Sequence, residues 1–478
     1  MRQKAFVLVI AFLLVCGVLF AVSAKETTDT GGAAVINDIG RLNPTRVAAV
    51  VTNQEIEGLQ QALAHARENS LKVSIAGKRH SMGGHTLYPD AVVLDMTGFN
   101  RTLAVDPAAK TITVQSGATW KDVIESLNPY GLSVQLMQAY NVFTVGGSMS
   151  VNIHESDMDY APLVETVDSF RLLLANGTIV NVSRTENPEL FSLVIGGYGL
   201  LGIILDVTLN VTDDVIYEKQ EYVWNYTSYP RLYNFVRDNR DIKLVFARLS
   251  IAKDDTFLRQ VIVTAYRLTD KQTSHELVPP QKTWLKKFLF GLSRKYDWGK
   301  KFRWKLQKSV SDRFEPPVVS RNNLLNNDIG YLDYHSKKNT DILQEYFIPP
   351  ENLPAFIDDL RAIVSEHDAN LLSATLRYVP KNTESFLSYS RATVIGVVLY
   401  FNVGLSEQEQ QEVTRWTRKL TDAALKHNGT YYLPYQLYAS PEQLRSAYPS
   451  IDEFFALKRK YDPQELFVNK FYEKYARR

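Results

Sequence analysis

The chain has 478 residues, 45% of them hydrophobic and 22% charged, an ordinary globular composition with length for two or three domains. Its 54 Lys+Arg against 52 Asp+Glu give a formal charge of +2, so no bulk attraction to nucleic acid is expected. Cys16 is the only cysteine, which excludes disulfides, thiolate catalysis and cysteine-bound metal from everything after it, and no metal site is assigned.

Residues 1–24 stand apart. A basic "MRQK" precedes the apolar run "AFVLVIAFLLVCGVLFAV", and "VSA" before Lys25 reads as a small-residue cleavage site. The run is also nearly long enough to span a bilayer. A cleaved signal peptide and a retained N-terminal anchor are the two readings, and both put the body of the protein outside the cytoplasm, periplasmic or secreted. Residues 25–41 are polar and turn-rich and read as a linker.

Residues 53–69 have helical periodicity, with Ile56, Leu59, Leu63 and Ala66 on one face. The apolar runs "VSIAG" and "AVVLDM" then flank a loop with Gly77, Gly83, Gly84, His80 and His85. Residues 101–118 alternate and turn at "DPAAK", a hairpin. "TWKDVIESLNPYG" is a helix that Thr119 caps and Gly131 ends. "FTVGGSMSVNIHESD" (143–157) is a second Gly-rich stretch. "DSFRLLLANGTIVNV" is a hairpin with an Asn-Gly turn, "ENPELFSLVIGG" a short helix and "GIILDVTLNV" a strand. From 212 the character changes: strands mix with a basic-aromatic segment. Residues 340–430 then run strand–helix–strand–strand–helix, and the tail "SIDEFFALKRKYDPQELFVNKFY" pairs an amphipathic helix with a Pro-stopped turn.

A Gly-rich turn beside a strand lets backbone N–H groups converge on an anion, because glycine accepts positive φ and brings no side chain. One such loop says little. Three within 130 residues, the third being "GGYGLLG" at 196–202, suggest a long ligand over a sheet, and a dinucleotide has that length. No G-x-G-x-x-G opens a helix after a strand, so this is not the nicotinamide pattern. No Walker A pattern occurs either.

"IAGKRHSMGGHTL", "TVGGSMSVNIHESD", "GGYGLLGII" and "KYDPQELFVNKFY", in this order, resemble the vanillyl-alcohol oxidase / p-cresol methylhydroxylase family of FAD-linked oxidoreductases, and within it the sugar and aldonolactone oxidases. The likeness covers roughly 42–211 and 440–478. It implies an α+β fold: an FAD-binding domain of two subdomains at 42–211, an α+β cap at 212–439 supplying the substrate site, and a tail at 440–478 folding back onto the FAD domain. It implies FAD contacts from Ala76, Gly77, Lys78, Arg79, His80, Ser81 and Met82, from Gly146, Gly147, Ser148, Ser150 and His154, and from Gly199, Gly202, Ile203 and Asn469. His80 sits where family members carrying G-x-x-H-S attach the flavin covalently; the plain alternative is a hydrogen bond in a turn. His85 reads as structural. His154 reads equally as flavin-proximal or as core.

Where related oxidases carry "E-x-R" on a cap strand, this chain has "TLR", keeping Arg377 with Thr375 in the acid's place. The later "TYYLPYQLYAS" puts Tyr435 and Tyr432 near the family's lysine and histidine. A phenol is a general base only if its pKa of about 10 is lowered, and a neighbouring arginine does that. Arg377 and Tyr435 are therefore the candidate catalytic pair, against the alternative of a Tyr-rich cap core with a surface arginine. Residues 282–308 hold ten Lys/Arg and one acid among six Trp and Phe. They read as a membrane-interface segment, an entrance for an anionic substrate, or a helix pair with its aromatics in the core.

The expected function is an exported FAD-dependent oxidoreductase acting on a CH–OH group of a sugar-, polyol- or lactone-like small molecule, with oxygen or another electron acceptor. The rivals are an oxidase of a lipid-linked sugar at a membrane surface and a catalytically silent flavin-fold binding protein.

Overall fold

Alternating and fully apolar runs set the frame of the computed structural model, which describes residues 34–160, 162–279, 284–314, 316–327, 334 and 336–476. The N-terminal apolar run, the linker up to residue 33 and Lys282 of the basic-aromatic segment lie outside the described residues. From Ala34 on, the chain forms one compact unit.

Strands β1 (Ala34–Ile36) and β2 (Thr45–Val47) pair with each other. β3 (Ala49–Thr52), β4 (Val73–Ala76) and β5 (Val92–Asp95) form a parallel sheet in the order β3-β5-β4. Helix α1 (Ile56–Glu68) makes the crossover that parallel strands require, burying Leu59, Leu63 and Ala66. The loop after β4 is thus delivered at the carboxyl edge of this sheet.

A second, antiparallel sheet contains β6 (Thr102–Asp106), β7 (Thr111–Gln115), β8 (Leu132–Val134), β9 (Val167–Leu173), β10 (Ile179–Ser183) and β11 (Ile203–Asp213). Between β7 and β8 lies α2 (Trp120–Leu127), with a capping box from Thr119 and Asp122. Gly131, at φ 66°, ends the short turn that follows. The glycines of 143–157 do not sit in an open loop: α3 (Val145–Ser150) contains Gly146 and Gly147. Helix α4 is Pro188–Val194.

The third sheet has eight strands: β12 (Ile216–Asn225), β13 (Ile242–Leu249), β14 (Gln260–Leu268), β15 (Val318–Ser320), β16 (Asn339–Ile348), β17 (Asn370–Val379), β18 (Val394–Gly404) and β19 (Thr430–Tyr431), ordered β15-β12-β14-β13-β17-β18-β16-β19. Strict alternation divides its faces. Ile342, Tyr346 and Ile348 of β16 and Ile395, Val397, Leu399 and Phe401 of β18 pack with Leu353, Phe356 and Leu360 of α7 (Leu353–Glu366) and Trp416 and Leu420 of α8 (Glu407–Lys426). That leaves Glu345, Phe347, Arg377 and Gly396 on the other face.

Two more helices, α5 (Trp284–Lys295) and α6 (Asp297–Phe314), form a helical hairpin from the basic-aromatic segment. The C-terminal part returns to the first sheet, with a parallel bridge between Phe467 and Val73 of β4.

Candidate active site and cofactor cleft

The three glycine stretches meet. A cleft of about 590 Å³, open to solvent, is lined by Gly77 and Ser81 after β4, Gly146, Gly147 and Ser150 of α3, and Gly199 and Gly202 before β11. Ser116, Thr144, Tyr198 and Ile204, missed in the sequence, help complete it, as does His85, which was expected only to be structural. Two glycines show why the wall tolerates no side chain. A Cβ at Gly77 would stand 2.2 Å from Thr144 Oγ1, and Gly199 adopts φ +70°.

The other residues implied by the resemblance surround the cleft without lining it. Ala76 ends β4 in the core, and the Ile203 side chain packs with Leu63 and Leu94. Lys78 is exposed. Arg79, at φ 57°, is paired with Asp95 at 2.9 Å. The Met82 sulfur accepts from Leu343 N at 3.2 Å, tying the loop to the third sheet. Ser148 donates to Gln138 Oε1 at 2.6 Å and accepts from Trp120 Nε1 at 2.9 Å, bonds that hold α3 in place. Asn469 Nδ2 donates to His85 O and Tyr198 O at 3.0 and 2.9 Å, so the tail latches the first and third glycine stretches together.

His80 meets the Phe143 ring edge-on at 4.7 Å between centroids. Its Nδ1 is buried and has no hydrogen-bond partner. Burial, then the Lys78 charge, lowers its pKa to about 4, so it is a neutral imidazole. His85 is buried between Phe471 and Tyr198, at 5.6 and 5.5 Å, with only a poorly aligned contact to the Leu433 backbone for its ring nitrogens. Burial lowers its pKa to about 3. A buried polar atom without a partner costs roughly 1–3 kcal/mol. Imidazole nitrogens without a well-formed hydrogen bond, beside a cleft with glycines in its wall, fit a bound polar group that completes the site.

Beyond the α3 end of the cleft lies a charged network. His154 Nε2 is 2.8 Å from Glu345 Oε1, with both side chains buried. Arg377 Nη1 is 2.9 Å from Glu155 Oε2. The Tyr435 hydroxyl donates to Glu345 Oε2 at 3.3 Å. The cleft and network are neighbours: Tyr432, whose ring meets His154 at 5.6 Å, donates to O of Val151, a cleft residue, at 2.8 Å, and a Cβ at Gly83, in the first glycine stretch, would lie 2.5 Å from Tyr435 O. Gly396, opposite Arg377 in the β17–β18 register, leaves room here. A Cβ on it would stand 3.0 Å from Glu345 Oε1 and 3.3 Å from His154 Cε1.

The structure joins Arg377 and Tyr435 but corrects the chemistry expected of the phenol. Burial, then the Glu345 charge, pushes its pKa well above the ordinary tyrosine value; Arg377 pulls the other way and is outweighed. Tyr435 is a neutral donor. Burial also raises Glu155, against the pull of Arg377. Both Glu155 oxygens are engaged: it accepts from Ala139 N and Ser156 Oγ, each at 3.0 Å, as well as from Arg377. Glu345 Oε1 has no donor in hydrogen-bond line, since His154 lies at ion-pair distance but off that line. Glu345 is thus the carboxylate with spare acceptor capacity. Its signal in the sequence was an acid inside the mostly apolar "LQEYFI", which a buried strand tolerates only with partners.

Two family models match this chain: "FAD binding domain" over residues 47–183 and "D-arabinono-1,4-lactone oxidase" over 260–475. These matches bear out the resemblance to the p-cresol-methylhydroxylase-type FAD oxidoreductases. It is similar to L-gulonolactone oxidase of Bos taurus, with 31% identity over 189 residues, 40% of this chain and 41% of that one. It is similar to decaprenylphosphoryl-beta-D-ribose oxidase of Mycolicibacterium smegmatis, at 31% over 36% of this chain and 38% of that one. L-galactono-1,4-lactone dehydrogenase 1 of Oryza sativa subsp. japonica matches at 32% over 33% of this chain and 27% of the relative. The chain spans about two fifths or less of the length of these relatives. The first model spans all but the third of the cleft's glycine stretches; the second contains Glu345, Arg377 and Tyr435.

Proposed function

We propose that this protein is an FAD-dependent oxidoreductase that oxidises a CH–OH group of a sugar-, polyol- or lactone-like small molecule and passes the electrons to oxygen or another acceptor. The observation that carries the reading is the proximity of the glycine-walled cleft to the Arg377–Glu155 and Tyr435–Glu345–His154 network. Under this reading the two smaller sheets and the tail after residue 440 hold FAD, and the eight-stranded sheet between them carries the substrate. Bound flavin supplies the hydride acceptor.

The rest falls to this chain's own residues. The glycines after β4, in α3 and before β11 admit the cofactor's backbone-bound portions. His80, neutral at Nδ1, is the proposed attachment point for a covalent flavin. Arg377, oriented by Glu155 and partly exposed, holds a substrate oxygen. The substrate hydroxyl gives its proton to the Tyr435 oxygen while Tyr435 passes its own to Glu345. The phenol therefore relays without becoming a stable anion, which answers its raised pKa. A cleaved or anchoring segment at 1–24 supports an exported location.

Anaerobic mixing of the yellow protein with a panel of sugars, polyols and aldonolactones tests the reading. Bleaching by at least one of them is expected. A bound flavin that no member of the panel reduces would favour the silent binding protein. A lipid-linked sugar is the second reading, favoured by the position of the α5–α6 hairpin on the same sheet face as Glu345.

A further inference from the structure

The α5–α6 hairpin divides its residues by chemistry. Its packed side carries Phe290 against Leu372 and Tyr400, Trp304 against Ala252 and Ile262, and Arg294 paired with Asp341. Arg303 donates to Leu372 O at 3.0 Å. Lys300 is also buried here, so it belongs to the fold rather than to any surface.

The outer side is different. Phe288, Tyr296, Trp298 and Phe302 are 52, 49, 57 and 48% exposed. Among the described residues these include every Phe and Trp classed as exposed. Trp298 and Phe302 are four residues apart on α6 and share a face, and Tyr296 stacks on Trp298 at 5.5 Å. Around them Lys287, Lys295, Lys305 and Lys308 are exposed and Lys301 is half-buried. The one acid of the stretch, Asp297, is already shared by Lys253 and Lys300, at 3.5 and 3.9 Å.

An aromatic patch of this kind is unusual on a soluble surface. Arg294 and Arg303 point inward, while the exposed cations around the rings are lysines, whose long stems lie along apolar surface with the ammonium in water. Aromatic rings ringed by lysine suit the interface of an anionic bilayer. We infer that this face docks the protein on an anionic lipid surface.

The position gives the docking a use. Along β16, Asp341, Leu343 and Glu345 alternate onto one face. Asp341 holds Arg294 of the hairpin, Leu343 packs against Phe290, and Glu345 belongs to the charged network. The seat of the hairpin and the site are thus four residues apart on one strand, roughly 13 Å, and the docking face is the far side of that hairpin. Docking brings the site to the lipid surface, where a membrane-borne substrate would be presented.

The test uses the flavin-loaded protein from Lys25 onward, which keeps the whole compact unit, and vesicles of phosphatidylcholine with or without phosphatidylserine. Co-sedimentation of the yellow colour is expected with the anionic vesicles at low salt, with a part persisting at high salt. Each lysine near an anionic surface is worth about fivefold in partitioning. K301E/K305E/K308E should therefore weaken binding by about a hundredfold or more and remove its salt-sensitive part. F288S/W298S/F302S should remove the part that salt does not screen. All six positions are at least partly exposed, and unchanged flavin spectra establish that the variants fold. A blue shift of tryptophan emission on adding anionic vesicles, absent in W298F, locates the contact. The inference is overturned if wild type ignores anionic vesicles at low ionic strength, or if its binding survives both triple substitutions. A dimer that the aromatic substitutions dissociate, without vesicle binding, would assign the face to a second copy and overturn it as well. Vesicle binding does not depend on turnover, so its failure leaves the oxidase reading standing, and the converse holds.

Discussion

Gly77→Ala probes the cofactor cleft at the point where the geometry is tightest. The added methyl would stand 2.2 Å from Thr144 Oγ1, with Thr144 Cβ and Cγ2 at 3.3 and 3.4 Å. The first distance is more than roughly 1 Å inside van der Waals contact, and relieving it must move Thr144 or the loop after β4. Both line the cleft. Overpacking of this kind costs about 1–3 kcal/mol, and if it falls on the holo form it weakens FAD binding roughly 5- to 150-fold. A His80→Ala background keeps the flavin exchangeable, so that fluorescence quenching of added FAD reports a true Kd. Thr144→Ala removes Oγ1 and leaves only the 3.3 Å contact. Gly77→Ala/Thr144→Ala should therefore bind FAD within about fivefold of Thr144→Ala alone, a strong coupling between neighbours. Unaltered affinity in Gly77→Ala, or additive losses in the double variant, would refute the assignment of this wall to the cofactor.

Glu345→Gln and Tyr435→Phe should each slow anaerobic flavin reduction by roughly 10²–10⁴, the usual worth of acid–base assistance. The double variant should lose little more, because a relay fails when either member is removed; mild additive losses in stopped-flow traces would rule the relay out. His80→Ala should leave flavin in the supernatant after acid precipitation, whereas wild type should carry its colour into the pellet. Burial raises the Asp38 carboxyl to about 6, against hydrogen bonds from Gly84 N and Asn43. A folded pKa above the unfolded one stabilises the protein below about pH 4, a contribution lost as pH rises through 6. Urea melts at pH 4.5 and 7.5 should show a loss of at most about 3 kcal/mol from this group, which Asp38→Asn abolishes; an identical pH dependence in the variant would contradict the burial argument.

Local chemistry was legible wherever neighbours in sequence decide the outcome. Thr119 caps α2 with Asp122, three residues on, and the Asn176–Gly177 turn joins β9 to β10. The three glycine stretches also announced a shared ligand. Less legible was α3: its glycines read as a loop, yet the backbone of 145–150 is helical, with Ser148 fixed by Trp120 and Gln138. Which residues pair in the network could not be read from local pattern. Glu345 meets His154 from 191 positions away, and only the alternation of β16 against the α7–α8 face decides that it points to the site. The phenol's charge state was misread for the same reason, because a neighbouring arginine does not reveal the burial that outweighs it. In the hairpin, Lys300 and Arg303 looked like surface cations, and packing against the third sheet turned them inward.

The most direct test of the account is the flavin content of the purified protein after incubation with FAD. The account predicts one FAD per chain in the wild type and a marked loss when Gly147, in the wall of the cleft, is replaced by Val. A well-folded wild-type chain that stays colourless, or a Gly147→Val variant that holds flavin as wild type does, would contradict it.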